Sequence, residues 1–321
     1  MSNRYVIGVD LGGSRVRAVL ANEKGEFLDR CEFPTLADKG LYFVLERILE
    51  CVRSVSSNAP RIDAIGVGAP GPINSKEGVV SNPPNLPGWV NVPLAKLIEE
   101  KTGIPTFLGN DANLAALGEF TYGSGKYVQH LIYITVSTGV GGGIIIDGQL
   151  LEGHNGAAGE VGHMVVQPGG PKCSCGGYGH LEALSSGTAI AKRAREAASL
   201  NKDTVMIELA GSVDKINAKI VDEAAKKGDP LALKLLEQAG QWLGYALINL
   251  IHIFNPQMIS IGGGVSEAGE LLLGPARKVV FEGLMPVFKQ DLQIVKASLG
   301  GDVGLAGAVA LALQESAKSK V

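Results

Sequence analysis

The chain has 321 residues, 45% hydrophobic and 19% charged, which suits a soluble globular protein of two closely packed lobes and excludes the disordered and fibrous classes. Its formal net charge of −3 carries no basic excess of the kind that phosphate-backbone binding uses, so nucleic acid is not an expected partner. The most apolar stretch, Tyr245 to Ile253, is broken by Asn249, His252 and Pro256 before it reaches the roughly 20 apolar residues of a bilayer span, and no membrane partner is expected.

The first residues run directly into an apolar strand, without the basic segment, long apolar core and cleavage site of a secretion signal, so the expected location is the cytoplasm. From Tyr5 to Ala21 the chain reads as a β-hairpin: the apolar run YVIGV, the turn Asp10-Leu-Gly-Gly-Ser14, then the alternating RVRAVLA. Leu41, Val44, Leu45, Ile48, Leu49 and Val52 fall on one face of an amphipathic helix. A buried strand at Ala64 to Val67 leads into the Gly/Pro loop Gly68 to Pro72, and a turn-rich stretch follows from Asn82 to Gly88. Gly109-Asn-Asp-Ala-Asn113 precedes the helical pattern LAALGEF.

The grammar of the first hairpin returns about 125 residues later, where LIYITV passes through Ser137-Thr-Gly-Val-Gly-Gly-Gly143 into III, a repeat that suggests two related lobes. Asp229-Pro230 marks a helix start, with Asp as N-cap and Pro at the first helical position, and the helix should continue to about His252. A strand from Met258 to Ile261 runs into Gly262-Gly-Gly264, and Val303 to Gln314 closes the sequence with an Ala-rich helix. Alternating strands and helices with some antiparallel pairs give an α/β fold with mixed sheets around a central cleft.

Chemistry concentrates in four places. Asp10, Gly12, Gly13, Ser14 and Arg15 put a carboxylate, two glycines and a hydroxyl in one turn, where backbone N–H groups can approach a phosphate and Asp10 can hold Mg²⁺ directly or through water. An ordinary hairpin turn would use the same glycines; the second turn, Thr138, Gly139, Val140, Gly141 and Gly142, supplies a matching cradle, and two such turns suit a polyphosphate. Gly263 and Gly264, at a strand end, permit flat approach of a ring such as adenine, although a strand-to-helix turn would also need them. In Asn110-Asp111 one residue can cap the following helix while a carboxylate near a substrate can serve as general base.

The most specific spacing is His163, Cys173, Cys175 and His180, H-x9-C-x-C-x4-H, two thiolates and two imidazoles suited to a structural tetrahedral Zn²⁺. A disulfide across one intervening residue would be strained. Glu160 and Glu182 flank these ligands and would be held in fixed relation, placed to accept hydrogen bonds from sugar hydroxyls. Cys31 and Cys51 stand apart in the sequence, and no disulfide framework is expected.

These motifs, in this order, resemble those of the ROK sugar kinases along essentially the whole chain, and within that family the bacterial glucokinases. Asp10 to Ser14 looks like the first phosphate turn, Asn110 to Asn113 like the catalytic segment, Thr138 to Gly143 like the second phosphate turn, Glu160-Val-Gly-His163 with Cys173 to Glu182 like the signature and zinc loop, and Met258 to Val265 like the adenosine segment. The resemblance implies an actin-like (ribonuclease H-like) ATPase fold, with a small lobe over 1–115 completed by the C-terminal helix of about 303–321, and a large lobe over 116–302. It implies transfer of phosphate from ATP, with Mg²⁺, to a hexose such as glucose; Asp111 would be the base, and Asn110, Glu160, His163 and Glu182 would bind the sugar. It further implies a homodimer or higher homo-oligomer. Other substrates in the family are N-acetylmannosamine, N-acetylglucosamine, fructose and allose. The family also holds sugar-responsive repressors, which carry a helix-turn-helix ahead of the first phosphate turn; nine residues precede Asp10 here, so a regulator without catalysis is the lesser expectation. Two departures stand out: His180 replaces a usual cysteine, and Ser14-Arg15 replaces Thr-Lys or Thr-Asn.

Overall fold

The computed structural model describes residues 4–57, 59 and 61–318. It divides into two compact units: 1–127 with 143–159 and 299–321, and 128–142 with 160–298.

In the first unit, strands β1 (Tyr5–Leu11), β2 (Arg15–Asn22), β3 (Phe27–Pro34) and β4 (Ala64–Ala69) follow in sequence, with helix α1 (Leu41–Ser56) between the last two. The short pair β5 (Ile73–Asn74) and β6 (Val79–Val80), helix α2 (Leu94–Thr102), strand β7 (Thr106–Asn110) and helix α3 (Asp111–Tyr122) come next. The sheet runs β3-β2-β1-β4-β7: the first hairpin is antiparallel as expected, while β1, β4 and β7 are parallel. Strand β3 was not anticipated; its exposure alternates residue by residue, as an edge strand with one solvated face should.

Alternation decides the layers. Ile7, Val9 and Leu11 of β1 join Val44, Ile48 and Val52 of α1 in one core. Val6 on the opposite face joins Leu305, Val309 and Ala312 in another. The second core belongs to the C-terminal helix, Val303–Lys318, which lies so close to the sheet that a methyl group at Gly66 would fall 2.0 Å from the Ala308 carbonyl oxygen. Position 115 lies inside α3, which continues unbroken within this unit to Tyr122. Cys31 and Cys51, apart in sequence, are packed in the α1 core as free thiols; burial, then a hydrogen bond with Cys31, pushes the Cys51 thiol up.

The second unit opens with β8 (Leu131–Val136) and the first residues of β9 (Val140–Ile146), neighbours in a sheet and joined by the turn Ser137 to Gly139; from Gly143 the chain belongs to the first unit, where β10 (Gln149–Leu150) pairs with the far end of β9. Helices α4 (Leu181–Ser185), α5 (Gly187–Leu200), α6 (Val205–Ala210), α7 (Ala218–Lys226) and α8 (Pro230–Phe254) follow, then β11 (Met258–Gly262), α9 (Glu270–Gly283) and β12 (Gln293–Lys296); the C-terminal helix is α10. Strand β11 is parallel to both β8 and β12. The predicted start of α8 holds in detail: Asp229 Oδ1 accepts the Ala232 N–H at 2.8 Å, and Pro230 takes the first helical position. The helix ends at Phe254, with Asn255 left-handed at φ 46° before Pro256. No helix among the described residues is long and apolar enough to cross a membrane.

Candidate active site

In the first unit, parallel β7 delivers its last residue, Asn110, to the amino end of α3. Asn110 Oδ1 accepts the backbone N–H groups of Ala112 (3.0 Å) and Asn113 (3.2 Å), so the cap belongs to Asn110. Asp111 is the first helical residue and exposed; its Oδ1 accepts its neighbour's N–H at 2.8 Å. The division of labour between adjacent residues that the sequence left open is settled on the capping side: Asp111 is not the residue that closes the helix end.

The first turn is tight, with Gly12 N–H donating to the Arg15 carbonyl at 2.9 Å and Thr35 Oγ1 donating to the Gly12 carbonyl at 2.6 Å. Ser14 is exposed beside it. Asp10 Oδ2 is engaged by the Arg17 guanidinium, whose Nε lies 3.1 Å away and whose Nη1 donates to the Gly301 carbonyl at 2.8 Å. Arg15 faces β3 instead, in an exposed pair with Glu32 at 3.2 Å. Sequence reasoning missed Arg17; its alternation with Arg15 along β2 was the available signal.

In the second unit the signature segment and the second phosphate turn form one packed piece. Glu182 Oε2 accepts the Val140 N–H at 3.1 Å, and a methyl group at Gly139 would fall 2.4 Å from that oxygen. Gly162, between Val161 and His163, lies so close to Val140 that a methyl group there would meet its carbonyl oxygen at 2.0 Å. The Val140 N–H expected to face a phosphate is thus directed at Glu182, and the Val140 carbonyl is packed against Gly162 of the segment that carries the expected sugar ligands.

The four expected metal ligands converge: their donor atoms all lie within 4.8 Å of one another. His163 Nδ1 is 3.7 Å from Cys173 Sγ, and His180 Nδ1 is 3.2 Å from Cys175 Sγ. A tetrahedral ion bonded at about 2.3 Å to sulfur and 2.0–2.1 Å to nitrogen sets its ligands about 3.3–3.8 Å apart. The donor set therefore fits Zn²⁺ in chemistry and in spacing. His163 Nε2 is turned the other way, 3.9 Å from Glu160 Oε2. Burial pushes the Cys173 thiol up from its ordinary value, a shift that a bound cation would reverse.

A cavity of about 490 Å³ in the first unit includes Asn110 and Asn113, whereas the apolar cavity of the second unit, about 610 Å³, is walled by Thr138, Gly187, Thr188, Asn217, Gly264 and Val265. Thr188 Oγ1 donates to the Thr138 carbonyl at 2.8 Å and Gly187 N–H to that of Ser137 at 2.7 Å, so the amino end of α5 is bound onto the phosphate turn. Gly264 opens on this cavity with no neighbour within 4 Å of an added methyl group; Gly263 does not line it, but its φ of 88° makes the turn that presents Gly264. Sequence reasoning missed the α5 and α7 contributions, because Ser186-Gly-Thr reads as a helix start and nothing more: Ser186 Oγ accepts the Ala189 N–H.

The chain matches the ROK family over residues 6–315. It is 40% identical to the glucokinase of Thermotoga maritima, with 97% of this chain and 98% of that one aligned, and 38% identical to the glucokinase of Halalkalibacterium halodurans over 96% and 94%. Among solved structures it resembles a ROK family glucokinase from Streptomyces griseus in complex with glucose and AMPPNP, with a TM-score of 0.84, 37% identity, and coverage of 97% of this chain and 99% of that one. The α/β architecture is thus the actin-like ATPase fold expected of such kinases. Motifs in order, fold and full-length similarity agree: the chain belongs to the ROK family.

Proposed function

We propose that the protein is an ATP-dependent glucokinase that phosphorylates glucose to glucose 6-phosphate. One observation carries the reading: a cavity of nucleotide size opens on the Thr138 turn, in a chain aligned over nearly its full length with glucokinases and with a glucokinase that binds glucose and AMPPNP.

In this reading the adenosine occupies the cavity walled by Gly264, Val265 and Asn217, and the phosphates extend along Thr138 and Gly139; Gly12, Gly13 and Ser14 are assigned to phosphate by their turn chemistry. The amino end of α5 adds favourable N–H dipoles to the wall. Mg²⁺ would be held by Asp10 through water, since Arg17 already engages Oδ2. Asn110, Asp111, Glu160, His163 and Glu182 bind the sugar. The Asp111 carboxylate takes the proton of the attacking hydroxyl as the oxygen–phosphorus bond forms and the bond to the bridging oxygen of ADP breaks. The N–H groups of the glycine turns stabilise charge on the transferring group.

His163, Cys173, Cys175 and His180 would hold a structural zinc ion whose contribution would be rigidity of the loop that ends in Glu182; with Nδ1 toward the metal, His163 would keep Nε2 on the side of Glu160, where a hydroxyl could meet it. Elemental analysis of purified protein should find one zinc per chain, and its absence would refute the ligand set.

The functional test is glucose-dependent release of ADP in the presence of Mg²⁺, set beside a panel of other hexoses and N-acetylhexosamines. Asp111→Asn should lose about 10²-fold or more in kcat with little change in glucose affinity. Full turnover in that variant would remove Asp111 from the chemistry, and absence of turnover with every sugar in the wild type would favour a sugar-responsive regulator.

A further inference from the structure

Glu182 has two oxygens with different duties. Oε2 accepts the Val140 N–H in the second phosphate turn at 3.1 Å; Oε1 accepts the Ser174 hydroxyl at 3.0 Å and lies 3.7 Å from Cys173 Sγ. Ser174 stands between the two cysteines of the metal loop. We infer that Ser174 and Glu182 form a positioning chain from the metal loop to the second phosphate turn, so that loop order sets nucleotide affinity even with no sugar bound.

The proposal rests on the kinase reading and adds to it a duty for Glu182 toward the nucleotide and a duty for Ser174, a residue with no expected contact to either substrate. Two further observations support it. A side chain at Gly139 would have to displace the Glu182 carboxylate, which lies 2.4 Å from an added methyl group, so the glycine leaves that carboxylate its place beside the turn. Gly162 seats the signature segment on the Val140 carbonyl, so Val140 is fixed from both sides and the turn has little freedom to find its shape unaided. Removing the Ser174 hydroxyl takes from Oε1 its short hydrogen bond and leaves it only the long contact with Cys173 Sγ, which loosens the Glu182 side chain and the Val140 N–H that it holds.

The experiment measures AMPPNP binding by calorimetry without sugar, on zinc-loaded wild type, Ser174→Ala, Ser174→Thr and Glu182→Gln, with zinc content and melting temperature recorded for each. The expectation is a loss of about three- to tenfold in AMPPNP affinity for Ser174→Ala at full zinc content, the scale of one charge-assisted hydrogen bond partly exposed to water. Ser174→Thr should restore the affinity, and zinc-stripped wild type should fall at least as far as Ser174→Ala. Unchanged sugar-free affinity in both Ser174→Ala and Glu182→Gln would overturn the chain while leaving wild-type glucose-dependent turnover, and hence the kinase reading, intact. Failure of wild-type protein to bind AMPPNP at all would overturn both.

Discussion

Replacing Gly177 by alanine should strip the metal loop of one ligand without touching a ligand residue. A methyl group at this position falls 2.4 Å from His180 Cε1 and 2.6 Å from Nε2. Carbon atoms in contact sit about 3.5–4.0 Å apart, so the imidazole must retreat by about 1 Å. Metal–ligand bonds tolerate only about 0.2 Å. His180 therefore either leaves the ion or drags the loop, and zinc affinity should fall by about 10²-fold, close to 3 kcal/mol. The assay is competition for zinc with a chelator of calibrated affinity, read alongside the melting temperature with and without added zinc. His180→Cys, which restores a thiolate at the same place, should hold zinc at least as well as the wild type. If Gly177→Ala held zinc with wild-type affinity, His180 would not be a ligand and the site would need another fourth donor.

Asn110→Ala should cost about 1 kcal/mol of stability through the lost cap of α3 and weaken glucose binding, whereas Asn110→Asp should recover the stability in urea denaturation without recovering the sugar affinity, since a carboxylate caps but cannot donate. Gly264→Leu should raise the KM for ATP about tenfold with the KM for glucose unchanged, because the added Cβ enters open space and the rest of the side chain takes up room in the cavity; steady-state kinetics with each substrate varied would decide. Burial works to raise the carboxyl of Asp229, but hydrogen bonds from Ala232 N–H, the Thr204 hydroxyl and Val205 N–H outweigh it and hold the group below its ordinary value of 3.8. A depressed value means that its stabilisation is complete above 3.8 and lost as pH falls through the lower folded value. Asp229→Ala should accordingly destabilise the protein by about 3 kcal/mol at pH 7, from the lost cap and the donors left unsatisfied, with the gap to wild type narrowing only below that range in denaturant titrations.

Legibility followed sequence distance. The convergence of His163, Cys173, Cys175 and His180 was readable because all four lie within one short stretch and their spacing is itself a chemical signature. The start of α8 was readable because Asp229 and Pro230 act on backbone atoms a few residues away. Hairpins and glycine turns were readable for the same reason. Glu182 could be named as a functional carboxylate, yet its partner Val140 is 42 residues away, and no local pattern announces a hydrogen bond across that interval. Arg17 was lost because alternation alone places it on the face of Arg15, and only the exact hairpin register, which sets it opposite Asp10, says which carboxylate it meets. The wall that α5 gives to the cavity of the second unit was lost because a capped helix start looks the same whether or not a ligand lies beyond it.

The segment proposed to be catalytic depends on the last helix of the chain. The carboxylate of Asp111 can be aimed only as well as α3 is held, and the cap at Asn110 fixes just the first turn. The rest is fixed by α10: a methyl group at Gly307 would fall 1.8 Å from the Leu114 carbonyl oxygen, and one at Gly118 would fall 2.6 Å from that of Val303. Two helices that approach so closely, backbone to backbone, have one register and little freedom to slide. Helix α10 is in turn seated on β1 and β4, the strands that lead to the first phosphate turn and to the Gly68 loop. A single rigid stack therefore carries both Asp10 and Asp111. A substitution at Gly307, far from either in sequence, should move Asp111, the proposed base, relative to Asp10, the carboxylate proposed to hold Mg²⁺, before it unfolds the protein.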